Sequence, residues 1–120
     1  MASKKEAVST KKAPAPLPQF SQAVKYNGMV YCSGNIGLNP EAMRLVEGGP
    51  TAEARQAISN LKAILNEAGT DLANVVKMNI FITTMDDFGA INEAYDEFFN
   101  SVEPKPVRER VLPSVGACES

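Results

Sequence analysis

The stretch Tyr26–Gly37, YNGMVYCSGNIG, restricts the fold of this chain more than any other. It carries Asn27-Gly28, the dipeptide best suited to a two-residue type I′ turn, in which both central residues take positive φ. Gln22–Tyr26 leads into the turn. Met29–Cys32, rich in β-branched and aromatic residues, leads out of it. The sequence therefore predicts a β-hairpin whose second strand runs into Ser33-Gly34-Asn35-Ile36-Gly37. A hydroxyl followed by two glycines predicts a strand end with accessible backbone N–H groups and no bulky Cβ in the way. A small polar ligand could be held there. A glycine-rich strand exit without a ligand is the plainer reading of the same residues.

Downstream, Asn39-Pro40 marks a turn and Arg44-Leu45-Val46 reads as a short third strand. Gly48-Gly49-Pro50 then breaks the chain. A helix is expected from Thr51 as N-cap, with Glu53 favourable in its first turn. Ala54, Ala57, Ile58, Leu61, Ile64, Leu65 and Ala68 form its apolar stripe, and Gly69 suits its C-terminal end. Val75–Thr83 reads as a strand with Val76, Met78, Ile80 and Ile82 on one side. Phe81 sits between Asn79 and Thr83 on the other, which predicts burial by a partner subunit. A second helix is expected from Asp86-Asp87, with Phe88, Ile91, Tyr95, Phe98, Phe99 and Val102 as its stripe and Asn92 beside it. Glu103-Pro104-Lys105-Pro106 ends it. The order hairpin, helix, strand, helix, strand predicts an α+β two-layer domain: a mixed sheet with two helices on one face.

The chain has 120 residues, which argues for one domain with a real core. Residues 1–18, with Lys4, Lys5, Lys11 and Lys12 among small residues and three prolines, read as a disordered tail. Residues 19–120 then form the single domain. The net charge of −2 gives no electrostatic basis for nucleic-acid binding. The apolar runs are too short to suggest a membrane span. Cys32 and Cys118 are the two cysteines, and no secretory signal is read at the N-terminus. Both observations suit a reducing compartment: the cytoplasm, with the mitochondrion left open by the basic N-terminal segment. There is no histidine, so the usual general base and the commonest metal ligand are absent. Catalysis would have to use carboxylates, arginine, hydroxyls, backbone groups and water.

Pro106-Val107-Arg108 is the second informative stretch. A guanidinium offers a planar fork that matches a carboxylate at two points. For an isolated arginine, a surface salt bridge is the default. Taken together, the pattern resembles the Rid family, the reactive intermediate deaminases, and its RidA branch in particular. The residues that carry the resemblance are Ser33-Gly34 after a strand, Asn74-Val75-Val76-Lys77, Asp87-Phe88 with Asn92 and Tyr95, and Lys105-Pro106-Val107-Arg108. It runs from about Leu17 to Arg108.

The resemblance implies a chorismate-mutase-like fold and a homotrimer with sites in the clefts between subunits. It also implies hydrolysis of 2-imino acids and their enamine tautomers to 2-oxo acids and ammonia, with no cofactor or metal. By matching position, Arg108 would hold the substrate carboxylate, and Ser33 and the Gly34 backbone would line the pocket. Phe20 stands where many relatives carry a tyrosine, and Asn35 where many carry glutamine. Asn92 matches an asparagine at the pocket edge. The C-terminus departs from the pattern: the interval from Arg108 to Leu112-Pro113 is shorter, and only Ser114–Ser120 follow. Glu119 is the carboxylate available to position the hydrolytic water. The competing expectations are a non-catalytic member that binds small carboxylates, a stress-related interaction protein, and a ribonuclease or translation inhibitor. The acidic balance and missing histidine speak against the last.

Overall fold

Asn27 and Gly28 take φ of 53° and 79°, so both central residues of the turn are left-handed as a type I′ turn requires. They join β2 (Ala23–Tyr26) to β3 (Met29–Cys32), with Tyr26 opposite Met29. A computed structural model describes residues 4–82 and 84–111. Glu119, Cys118 and the Leu112-Pro113 step lie outside the described residues.

Residues 4–18 are not the tail that their composition predicts. Glu6–Val8 is a strand, β1, antiparallel to β2 with Val8 opposite Ala23. Val8 and Ala13 are buried in one apolar cluster with Ala23, Ile64 and Ala68. The four lysines stay exposed. Two apolar side chains and a backbone ladder help to seat an arm whose average composition is polar. The folded unit therefore begins well before Phe20.

α1 spans Gly49–Glu67 and starts ahead of the expected Thr51 cap. Gly48 is the N-cap at φ 116°, and Pro50 sits in the first turn, where its missing N–H leaves no donor orphaned. Gly69 ends the helix at φ 94°, as expected. Ile58, Ile64, Leu65 and Ala68 of the stripe are buried. Asn60 is also buried, and its Nδ2 donates to the Leu38 carbonyl at 2.9 Å, which pins the loop after β3 to α1. Arg44-Leu45-Val46 is not a strand: a single bridge joins Leu38 to Leu45. Asn39 Oδ1 accepts from the backbone N–H groups of Glu41 and Ala42, which curls the chain too tightly for a ladder.

Gly37 serves a different purpose from the open strand end expected of it. A Cβ there would lie 2.6 Å from the Glu53 Cα, so the loop backbone lies directly on α1. Gly37→Ala is expected to destabilise the protein by about 1–3 kcal/mol, the usual range for overpacking. An unchanged urea midpoint for this variant would show that the loop does not rest on the helix.

β4 (Lys77–Phe81) alternates as predicted, with Met78 and Ile80 against the core and Lys77, Asn79 and Phe81 exposed. Val76, expected on the inner side, precedes the strand and is exposed. α2 (Phe88–Phe99) follows a 3₁₀ turn over Met85–Asp87. Thr84 caps that turn, its hydroxyl accepting from the Asp86 N–H, and Asp87 is the N-cap residue of α2. Tyr95 and Phe99 are buried with Ile58, Leu65 and Leu72. β5 (Val107–Val111) pairs parallel to β4, with Lys77 opposite Val107.

The architecture is α+β. The strands form two small sheets, β1-β2-β3 antiparallel and β4-β5 parallel. α1 and α2 pack on each other. They are also joined at the surface by a two-point Arg55–Glu97 ion pair. That hydrogen bond from Arg55 holds the Glu97 carboxyl below its usual range.

Candidate active site

Arg108 is positioned by the residues before it. Lys105 Nζ donates to the carbonyls of Asn100 and Val102 at 3.2 and 2.8 Å and so caps the C-terminal end of α2. Carbonyls there lack helical partners and favour a cation. Pro106 is buried, and the Val107 N–H donates to the Val76 carbonyl at 2.8 Å, which starts the parallel register. Lys105 and Pro106 thus build the strand, and Arg108 is left for other work.

Arg108 lies opposite Met78, on the side of the sheet that meets α2. Its guanidinium carbon stands 4.6 Å from the Tyr95 ring centroid and 5.7 Å from that of Phe88. A cation over aromatic faces is held without consuming its in-plane N–H donors. Among the described residues no carboxylate pairs with Arg108; the adjacent Glu109 pairs with Lys77 at 3.6 Å. The surface salt bridge that is the default for an arginine is therefore not found here. Tyr95 stacks in turn on Phe99, centroids 4.4 Å apart. Burial pushes the Tyr95 phenol pKa up, opposed by the charges of Arg108 and Lys105, so the ring stays neutral at physiological pH.

Asn92 lies on the same side of α2, one turn from both Phe88 and Tyr95. Its Oδ1 is buried and has no hydrogen-bond partner among the described residues. A buried acceptor of this kind calls for a donor.

Phe20, Ser33, Gly34 and Asn35 come together elsewhere. With Leu17 and Ile36 they line a groove of about 370 Å³. The Ser33 hydroxyl donates to the Ser21 carbonyl at 2.5 Å, and the Ser33 N–H donates to the Gln22 carbonyl at 3.0 Å. With its one hydrogen committed, the hydroxyl can only accept from a ligand. Asn35 Nδ2 donates back to the Ser33 carbonyl at 3.0 Å, which tightens the turn. Cys32, next to this turn, is solvent-exposed as a residue, yet partial desolvation of its sulfur pushes the thiol pKa up. It stays protonated and is no nucleophile.

The predicted residues thus fall into two groups. Arg108 and Asn92 stand between α2 and β5. Phe20, Ser33, Gly34 and Asn35 stand in the groove beside β3, whose lining includes neither of the first pair. Glu119 lies outside the described residues. Sequence reasoning placed Tyr95 in the core stripe and missed that it carries Arg108. The spacing Phe88–Asn92–Tyr95, at i, i+4 and i+7, was the available signal. It missed Gln22 altogether. Among the described residues no three or more acidic or cysteine side chains are gathered as a metal ion would need.

The family model described as Endoribonuclease L-PSP matches residues 10–113. A 2-iminobutanoate/2-iminopropanoate deaminase of Mus musculus is 44% identical over 100 residues, covering 83% of this chain and 74% of the mouse protein. The crystal structure of RidA from the Antarctic bacterium Psychrobacter sp. PAMC 21119 matches at 42% identity and a TM-score of 0.83, covering 90% of this chain and 85% of that one. E. coli TdcF with bound serine matches at 32% identity and a TM-score of 0.84, covering 90% and 86%. Other relatives bear other names, among them a RutC family protein of Aquifex aeolicus and an endoribonuclease-type protein of Thermotoga maritima.

Proposed function

This chain belongs to the Rid family, and from that membership we propose that it hydrolyses 2-imino acids and their enamine tautomers to 2-oxo acids and ammonia. The observation that carries the reading is Arg108: a cation seated on two aromatic rings, with no carboxylate partner among the described residues. An incoming carboxylate completes it. The serine bound in E. coli TdcF, an α-amino acid, is a ligand of that chemical kind. Deaminase is also the name borne by the mouse relative.

In the proposed reaction the guanidinium fork holds the substrate carboxylate and fixes the position of C2. The Ser33 hydroxyl, which can only accept, receives an N–H of the protonated imine. Water adds to C2, the C=N π pair moves to nitrogen, and the water proton passes to a base. We assign that base to Glu119, the carboxylate nearest the C-terminus. Protonated Glu119 returns that proton to the nitrogen, and collapse of the carbinolamine then forms C=O as the hydroxyl proton passes to the carboxylate and nitrogen leaves as ammonia. The cleft between subunits is part of the proposal, because Arg108 and the Ser33 groove lie on separate sheets of one chain. Exposed Phe81 and Val107 on one sheet, and Met29 and Tyr31 on the other, give a second copy apolar surface to cover.

The test is ammonia release from 2-iminobutanoate generated in the assay by a pyridoxal-phosphate dehydratase, with the protein's mass taken on the same sample. Faster release from a particle about three times 12.9 kDa is expected. A fully active monomer would remove the cleft between subunits. Release no faster than the uncatalysed rate would remove the deaminase reading.

A further inference from the structure

The best-partnered side chain among the described residues is neither in the Arg108 cluster nor an acid: it is Gln22, which is 5% exposed. Its Oε1 accepts from the Thr10 N–H at 2.7 Å. Its Nε2 donates to the carbonyls of Thr10 and Pro14 at 3.0 and 2.9 Å, with Ala13 O at 3.3 Å. All four contacts are to main-chain atoms of the N-terminal arm, eight to twelve residues away. The Gln22 carbonyl meanwhile accepts the Ser33 N–H at 3.0 Å. One residue therefore holds the arm with its side chain and the Ser33 turn with its main chain.

The arm so held forms part of the groove. Pro14, Pro16 and Leu17 line it together with Ser33, Gly34 and Asn35. Apart from β1, the arm has little else to fix it: Ala13 is buried, while residues 15–20 are exposed. An amide is the one neutral side chain that can both accept from an N–H and donate to several carbonyls at once. A carboxylate would set negative charge against three carbonyl oxygens, and an apolar group would leave them unpaired.

We propose that Gln22 is the positioning residue of the ligand groove, a latch whose side-chain amide holds residues 10–14 of the arm in place so that residues 14–17 wall the groove opposite Ser33. The inference rests on the proposed function in taking that groove to receive the substrate. The latch itself is judged separately.

Two variants test it. Gln22→Met keeps length and volume and removes every hydrogen bond. Gln22→Glu keeps the acceptor and removes the donors. The first readout needs no ligand: trypsin cleavage at exposed Lys11 and Lys12, followed by mass spectrometry. Both variants are expected to be cut there at pH 8 about tenfold faster than wild type, the factor that corresponds to losing about one net hydrogen bond. The second readout is the dissociation constant of 2-oxobutanoate, expected to rise about fivefold to tenfold at pH 8 in both. Acidification separates a latch from a general loss of stability. The glutamate in Gln22→Glu is buried among carbonyl oxygens, so its folded pKa is raised. Its protonated form donates again, and latching is complete below the ordinary glutamate value of about 4.3 and lost as pH rises through the raised value. Between pH 8 and pH 5.5 the affinity of Gln22→Glu should move towards wild type, while that of Gln22→Met should not.

Unchanged cleavage at Lys11 and Lys12 in both variants overturns the latch. Faster cleavage with unchanged affinity overturns its role in the groove. Parallel pH responses of the two variants overturn the donor argument. A wild-type protein that binds no 2-oxobutanoate strikes at the proposed function, and proteolysis then decides the latch.

Discussion

Arg108→Lys is expected to lower kcat/KM for 2-iminobutanoate by about a hundredfold, and Arg108→Ala by about a thousandfold or more. A charge-assisted hydrogen bond contributes about 1.5–3 kcal/mol, and a two-point carboxylate clamp loses two of them in the alanine variant. Lysine retains the charge and loses the plane. In this structure the plane matters, because the guanidinium lies over Tyr95 at 4.6 Å and Phe88 at 5.7 Å. The rings fix its orientation while the N–H edge remains for the ligand. An ammonium on a flexible stem can sit over the same rings without presenting a fork. The loss should appear in both KM and kcat, since in the proposed reaction the clamp binds the ground state and also sets C2 against the attacking water. Thermal melts should differ little between wild type and Arg108→Lys, because no ion pair in the described fold depends on Arg108. An Arg108→Lys enzyme within threefold of wild type would end the two-point role.

The parts of this fold legible in the sequence are those where one local rule has no competitor. Asn27-Gly28 admits hardly any turn but the one found. The stripe from Ile58 to Ala68 admits no surface but a buried one. Lys105-Pro106-Val107-Arg108 was read correctly as the approach to a strand. The failures share a different cause: each depends on an atom supplied from far along the chain. The arm was read as a tail because its lysines dominate its composition, yet Val8, Ala13 and the distant Gln22 help to seat it. Gly37 was read as an opening because nothing in its neighbourhood shows that Glu53 lies against it. Arg44-Leu45-Val46 has strand composition, but Asn39 takes two backbone N–H groups and turns the chain before a ladder can form. The site divides along the same line. Arg108 and Ser33 were legible as candidates from their residue type and setting. Their placement on two separate sheets was not, because the pairing of β4 with β5, apart from that of β2 with β3, joins strands distant in sequence.

Phe99→Ala is expected to be the most destabilising single substitution in the described fold, by about 3–5 kcal/mol. Phe99 is 0% exposed and is the largest of the fully buried side chains. It packs with Ile58, Leu65, Leu72 and Tyr95 where α1, α2 and the 3₁₀ turn Leu72–Asn74 meet. Removing the ring loses its transfer free energy and leaves a cavity that the two helices cannot close without giving up their own contacts. A domain of this size has about 5–15 kcal/mol in hand, so the variant should melt far below wild type and accumulate poorly. The consequence for function follows from the stack. Phe99 supports Tyr95 at a ring separation of 4.4 Å, and Tyr95 supports Arg108. Phe99→Leu fills much of the space and should fold, but it withdraws the flat surface under Tyr95. Its expected signature is a modest loss of stability with a clear rise in KM, several-fold, as the guanidinium loses its fixed plane. A Phe99→Leu enzyme with wild-type KM would show that Tyr95 holds Arg108 without help from below. A Phe99→Ala protein with a wild-type melting temperature would show that the cluster around it is not the core of this domain.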